Sequence, residues 1–253
     1  MITRNQLKEV ARKNGINLYY QEKEYLQNIL LFSLFNKTQD LVFKGGTCLK
    51  LAYNYPRFSE DLDFNSDLSV KKIKMTINNT LKSFNLYGID HTIKKEEEFK
   101  ESYTAKIQFN GPTYSRRPDS TNSIQIDVGF RGGTVMDPSW VQVNSQYPDV
   151  PIYFILAMQK EEILSEKIRA LVMRGKGRDM FDIWVMLNTG VSVDNGLVYR
   201  KLHEMKVDIK GLQNFDLCTQ KEYERDIGNL LPAAVPYSQV VDDIERKLSD
   251  LLE

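Results

Sequence analysis

The 253-residue sequence predicts an α+β protein, with a mixed β-sheet and helices in an N-terminal half, residues 1–150, and a helical C-terminal half, residues 151–253. Three observations predict it. Short apolar runs bounded by turn residues recur in the first half. Helix-length periodic segments follow Pro151. No Gly/Ser-rich linker, internal repeat or low-complexity tract separates the two.

The elements follow in order. "TRNQLKEVARKNG" opens on a Thr cap, spaces Leu7, Val10 and Ala11 for a helix, and stops at Gly15. "LYYQEKEYLQNILLFSLFNKT" has apolar positions three and four apart and predicts a longer amphipathic helix. "LVFKGG" reads as a buried strand, "GTCLKLAYNY" as a helix starting at the glycines, and "EDLDFNS" as a second strand. A helix beginning at Ser69 precedes three strand-like runs, "IDHTIKKEEE", "SYTAKIQFN" and "SIQIDVGF". After Pro151, "MQKEEILSEKIRALVMRG", "RDMFDIWVMLNTG", "DNGLVYRKLHEMK" and "YSQVVDDIERKLSDLLE" carry helical periodicity.

Lys plus Arg and Asp plus Glu balance at 34 each, so any nucleic-acid binding must come from a local patch and not from net charge. Cys48 and Cys218 are too few for a disulfide framework and lack metal-ligand spacing. The longest apolar run, in "NILLFSLF", is far shorter than a membrane span, and the N-terminus lacks a targeting pattern. The expectation is a cytoplasmic protein with no membrane partner.

The chemistry is concentrated in a few positions. Side chains two apart on a strand share a face, so Ser59, Asp61 and Asp63 point one way while Leu62 and Phe64 enter the core. Two carboxylates so close invite a hard divalent cation such as Mg²⁺. The bend at Gly45 and Gly46 permits close backbone approach, and the helix after it offers N–H groups to phosphate, with Thr47 as a further donor. Asp127 interrupts the apolar "SIQIDVGF" and supplies a third carboxylate for two-metal transfer of a phosphoryl or nucleotidyl group. A solvated strand edge and an ordinary Gly-Gly turn are the plain alternatives for the separate pieces.

Other motifs are weaker. Neither His91 nor His203 has the partners of a triad, and Lys44 and Lys50 do not fit a P-loop. "KKEEEFKE" reads as a solvated edge. "GPTYSRRPDS" combines Tyr114, Arg116 and Arg117 in a turn-rich stretch that suits either a solvated hairpin loop or a grip on RNA.

The strings "FKGGTCLKLAY" and "PRFSEDLDF" resemble the first two motifs of the AbiEii/AbiGii-type toxins, within the DNA polymerase β-like nucleotidyltransferase superfamily. Two later strings agree with that family's pattern: Lys167 in "LSEKIRAL", and Arg174 to Asp182 in "RGKGRDMFD". The resemblance covers about Val42 to Leu187 and leaves the last sixty or so residues without a motif. It implies a nucleotidyltransferase-like sheet and a Mg²⁺-dependent enzyme consuming a nucleoside triphosphate. Such a protein acts as the toxin of a toxin–antitoxin or phage-defence pair, with a cognate antitoxin as partner.

The acceptor implied is RNA, with the tRNA 3′ end foremost. Asp61, Asp63 and Asp127 would hold metal and, with Lys167 and Asp179, be catalytic. Gly45, Gly46, Thr47, Ser59, Lys167, Arg174 and Arg178 would bind the nucleotide, and the helical half would complete the active site. Asp179 reads as either a site residue or a helix cap. Two alternatives keep the fold: transfer to a protein side chain, Ser59 itself or an antitoxin, and a nucleotide- or RNA-binding module without turnover.

Overall fold

In the computed structural model, residues 1–130, 133–206, 218–228, 230–231, 233 and 235–252 are described. The chain divides into two compact units, Met1–Met158 and Gln159–Glu253.

The first unit is built on a seven-stranded mixed sheet of order β3-β4-β5-β2-β1-β7-β6. Its strands are β1 (Val42–Lys44), β2 (Leu62–Asn65), β3 (Asp90–Phe99), β4 (Ser102–Asn110), β5 (Asn122–Gly129), β6 (Ser139–Val143) and β7 (Tyr153–Ala157). β2 runs antiparallel to β1 and parallel to β5, and β4 pairs antiparallel with both β3 and β5. β1 and β7 are parallel, and β6 closes the far edge against β7. The sequence reading missed β6 and β7. Both are five residues long, and β6 lies in a Pro- and Ser-containing stretch whose pairing with β7 is not visible locally.

Four α-helices accompany the sheet: α1 (Arg4–Asn14), α2 (Leu18–Phe35), α3 (Gly45–Tyr53) and α4 (Val70–Leu81). α1 starts on a Thr3–Gln6 capping box and ends at Gly15 in the left-handed region, as its sequence dictates. α2 corrects its expectation. It is buried around nearly its whole circumference from Gln21 to Leu31, so it is not amphipathic but central. Several of its polar residues have distant partners: Glu22 accepts from Thr113 and Asn122, and Asn28 accepts from the Tyr153 hydroxyl.

α2 packs against β5, β7 and α4. On this face Phe43 and Phe64 stack with centroids 5.2 Å apart, and Ile124, Ile126 and Val128 are buried with Tyr103, Ala105, Ile107 and Phe109. The alternate residues of β4 and β5, Thr104, Lys106, Gln108, Ser123, Gln125 and Asp127, occupy the opposite face and are half-buried or exposed. Buried hydrophobic positions on one face and polar ones on the other fix the register, because a one-residue slip would invert both.

The second unit holds α5 (Lys160–Arg174), α6 (Gly177–Asn188), α7 (Asn195–Glu204), α8 (Gln220–Ile227) and α9 (Tyr237–Leu252). α6 packs against α5, α8 and α9, and α5 also packs against α7. α8 was not anticipated; it begins with a Thr219–Glu222 capping box and buries Tyr223 and Ile227. Among the described residues, no helix is long and apolar enough to cross a membrane. Cys48 and Cys218 are buried and free, and burial raises both thiols, that of Cys218 to about 11, where it stays protonated and inert.

Candidate active site

In the first unit, strand register brings the candidate carboxylates together. Asp63 pairs with Lys44 of β1 on one side and with Asp127 of β5 on the other, and Asp127 pairs in turn with Thr104 of β4. Lys44, Asp63, Asp127 and Thr104 therefore form one row across four strands. Asp61 lies one residue before β2 begins, so it extends the Asp63 face from the strand's entrance and not from within it.

Asp127 is oriented by neutral donors. The Thr104 hydroxyl donates to its Oδ1 at 2.6 Å and the Gln125 amide to its Oδ2 at 2.8 Å. Such bonds fix a carboxylate's direction without neutralising it. Sequence reading had no signal for Thr104 or Gln125, because each acquires its role only through pairing or same-face spacing.

The glycine bend lies directly against these aspartates. Gly45, the first residue of α3, has φ +74°, and a Cβ there would fall 2.4 Å from Asp63 Oδ2. Both conformation and space thus require glycine. A Cβ on Gly46 would meet Arg57 Nη2 at 2.5 Å and Ser59 Oγ at 2.7 Å. Arg57 is buried and donates to the Phe58 carbonyl at 2.9 Å. It lies beside the glycine bend, and the sequence reading passed over it inside "PRFSEDLDF".

Thr47 was expected to offer its hydroxyl to phosphate. It is fully buried, and the hydroxyl donates to the Asp61 carbonyl. That bond ties the first turn of α3 to the approach to β2, making Thr47 a positioning residue. The same approach is held from α2, where the Gln27 amide donates to the carbonyls of Ser59 at 3.1 Å and Glu60 at 2.8 Å, and Lys23 pairs with Glu60 at 2.7 Å.

In the second unit, Lys167, Arg174, Asp179 and Asp182 meet in one cluster. Lys167 Nζ is 3.0 Å from Asp179 Oδ1 and 2.8 Å from Asp182 Oδ2. Arg174 grips Asp179 with two bonds, Nε to Oδ2 at 2.8 Å and Nη2 to Oδ1 at 3.1 Å. Burial opposes ionisation of Asp179, but the Lys167 ammonium and Arg174 guanidinium outweigh it and hold the carboxyl below the usual range.

The cap alternative for Asp179 does not hold. Lys176 is the N-cap of α6, and Asp179 sits in the first helical turn with its side chain enclosed by cations. At 0% exposure its carboxylate is enclosed and shared between Lys167 and Arg174. Arg178, in the same turn, is half-buried. Gly177 is required by packing, since a Cβ there would lie 2.6 Å from Tyr223 Cα, and its N–H donates to Asp226 of α8 at 3.2 Å.

Among the described residues, no group of three or more His, Cys, Asp or Glu side chains is arranged to hold a metal ion unaided. The neighbouring Asp63 and Asp127 suit an ion that takes one or two carboxylates and completes its shell with phosphate oxygens and water, as magnesium does.

The model of the family "Nucleotidyl transferase AbiEii toxin, Type IV TA system" matches residues 29–249. No curated protein matches the chain in sequence. Among solved structures, MenT4, a nucleotidyltransferase toxin from Mycobacterium tuberculosis H37Rv, superposes with a TM-score of 0.74 at 17% identity, covering 100% of this chain and 90% of that one. JHP933 from Helicobacter pylori superposes with a TM-score of 0.63 at 17% identity, covering 93% of each chain.

Proposed function

Since the chain belongs to the AbiEii nucleotidyltransferase toxin family of toxin–antitoxin systems, we propose that it transfers nucleotides from a nucleoside triphosphate to an RNA acceptor, the 3′ end of tRNA foremost, with Mg²⁺ as its cation. The observation that carries this reading is the in-register pair Asp63 and Asp127 with the bare Cα of Gly45 against it. Carboxylates and an open backbone side by side are what a phosphate chain and its cation need.

Asp63 and Asp127 would hold the ion, with Asp61 at the strand entrance extending the acidic face, and when bound the ion would offset the triphosphate charge and acidify the attacking hydroxyl. The protein's own residues do the rest. Backbone at Gly45 and Gly46 receives phosphates, while Ser59 and Arg57 line the far side of Gly46. Thr104 and Gln125 keep Asp127 aimed at the acceptor, ready to take the proton of its 3′ hydroxyl. The acceptor oxygen then bonds to the α-phosphorus and pyrophosphate leaves. In the second unit, Asp179 and Asp182 hold Lys167 and Arg174, which with Arg178 supply the cations that phosphate recognition calls for. These substrates place the reaction in the cytoplasm, and a cognate antitoxin would restrain it.

The test is incubation of the protein with each labelled nucleoside triphosphate, Mg²⁺ and total RNA. Label in the tRNA fraction is expected. Label confined to protein would replace this reading with modification of a side chain, for which Ser59 beside Gly46 is the first candidate. No label in either would leave a binding module.

A further inference from the structure

The loop joining β4 to β5, residues 111–121, is not part of the carboxylate row, yet it is built as a rigid presenting element. Its base is fixed by the buried Glu22 of α2, which accepts from the Thr113 N–H at 2.6 Å, the Thr113 hydroxyl at 2.8 Å and the Asn122 amide at 3.1 Å. Gly111 leaves room for that carboxylate, since a Cβ there would lie 2.7 Å from Glu22 Oε1. Within the loop, Ser115 N–H donates to the Ser120 hydroxyl at 3.0 Å, and Arg117 pairs with Asp119 at 2.6 Å.

This framework displays Tyr114 and Arg116, both exposed. Arg116 adopts φ +63°, a conformation disfavoured for a side chain of its size. Its guanidinium, like the Lys106 ammonium on the neighbouring sheet face, has no ion pair or hydrogen bond among the described residues. Lys106 pairs across the ladder with Lys95, a like-charge juxtaposition on the open face that costs stability unless an anion lies over it. Lys95 itself leans on Glu97 at 2.8 Å, which leaves Lys106 as the uncompensated cation of the two.

The surface is continuous with the site. Ile126 pairs with Leu62 between the two aspartates, and β5 extends back four residues to Asn122, about 13 Å, where the loop begins. α2 ties the two ends together, holding the loop through Glu22 and the entrance to β2 through Lys23 and Gln27.

Resting on the RNA-acceptor reading above, we infer that this loop and the adjoining open strip of β4 and β5 dock the acceptor strand. A base stacks on Tyr114, and Arg116 and Lys106 take its phosphates. Exposed cations without partners among the described residues, an exposed aromatic ring and a hydrogen-bonded loop beside the proposed transfer site fit single-stranded RNA, which is bound by stacking and backbone charge.

The experiment measures binding of fluorescently labelled bulk tRNA to the full-length protein by anisotropy across a salt series, with nucleoside triphosphate binding followed separately by calorimetry. Arg116→Gly is expected to melt at or above the wild-type temperature, since glycine accepts this φ freely, while binding tRNA about 10-fold more weakly and the nucleotide unchanged. Tyr114→Ala is expected to lose about 10-fold through the missing stack. Lys106→Glu combined with Arg116→Gly should lower the salt slope by about 1.4, two phosphate contacts at about 0.7 each. Wild-type affinity and slope in these variants, with transfer to RNA intact in the wild type, would overturn the docking assignment alone. A wild type that neither binds nor labels RNA would overturn the acceptor reading as well. Unchanged RNA binding with lost neutralisation by the antitoxin would assign the loop to that protein instead.

Discussion

Asp127 in the sheet and Asp179 in the helical unit were both expected from sequence to be catalytic, and their surroundings differ in kind. Asp127 is half-buried, and its carboxylate rests on a hydroxyl and an amide, neither of which cancels its charge. Asp179 is enclosed, and its carboxylate is shared between an ammonium and a guanidinium. A negative charge held by neutral donors still attracts a cation, whereas one matched by two cations is already compensated and serves to hold them. The contrast separates a carboxylate whose charge is still uncompensated by its hydrogen-bond donors from one whose charge is matched by two cations.

Substitutions at the two aspartates test that separation most sharply. Asp127→Asn or Asp63→Asn should reduce nucleotide transfer at least about 10²-fold while moving stability by no more than about 1 kcal/mol; a folded variant with wild-type turnover would remove the residue from the site. Asp179→Ala should act the other way round, costing about 3 kcal/mol in urea unfolding, the low end for breaking a buried pair because Arg174 is 47% exposed. An unchanged unfolding midpoint would show that the cluster does not brace α5 and α6.

A smaller effect is expected at the bend. Gly46→Ala, with its Cβ driven toward Arg57 and Ser59, should lower transfer by about 50-fold, equivalent to about 2.3 kcal/mol, and stability by no more than about 1 kcal/mol. Equal losses in free energy for both would reduce the bend to a turn without a phosphate role.

The smallest effect is a pH dependence. The folded-state pKa of Asp179 lies below its unfolded value of about 3.9, so its contribution is complete above that pH and is lost as pH falls through the folded value. The melting-temperature gap between wild type and Asp179→Asn should stay constant above about pH 5 and narrow below about pH 4. A gap independent of pH would mean that ionised Asp179 adds nothing in the fold.

Much of this was written locally in the chain. The bend, the helix after it and the Asp-x-Asp step were legible because glycine at a positive φ, an apolar run and alternate spacing are properties of neighbouring residues. Asp127 was legible because it breaks an apolar strand. The partners that give these residues their roles were not. Thr104 meets Asp127 across the β4–β5 ladder, and Arg57 reaches Gly46 from the segment before β2. The misreading of α2 has the same origin. Gln21, Glu22 and Asn28 look like a solvated face until residues roughly a hundred positions away satisfy them. The enclosure of Asp179 was likewise hidden, since a capping aspartate and an ion-paired one read alike in "RGKGRD".

The meeting of Gly177 with α8 bears on how the protein is made. The first N–H of α6 is satisfied by Asp226, a residue 49 positions later, and Tyr223 lies against the same turn. At a synthesis rate of about 5–20 residues per second, the start of α6 waits some seconds for this partner. A nascent toxin truncated before α8 therefore carries the whole carboxylate row of the first unit, but a second unit whose basic cluster has not been locked from below.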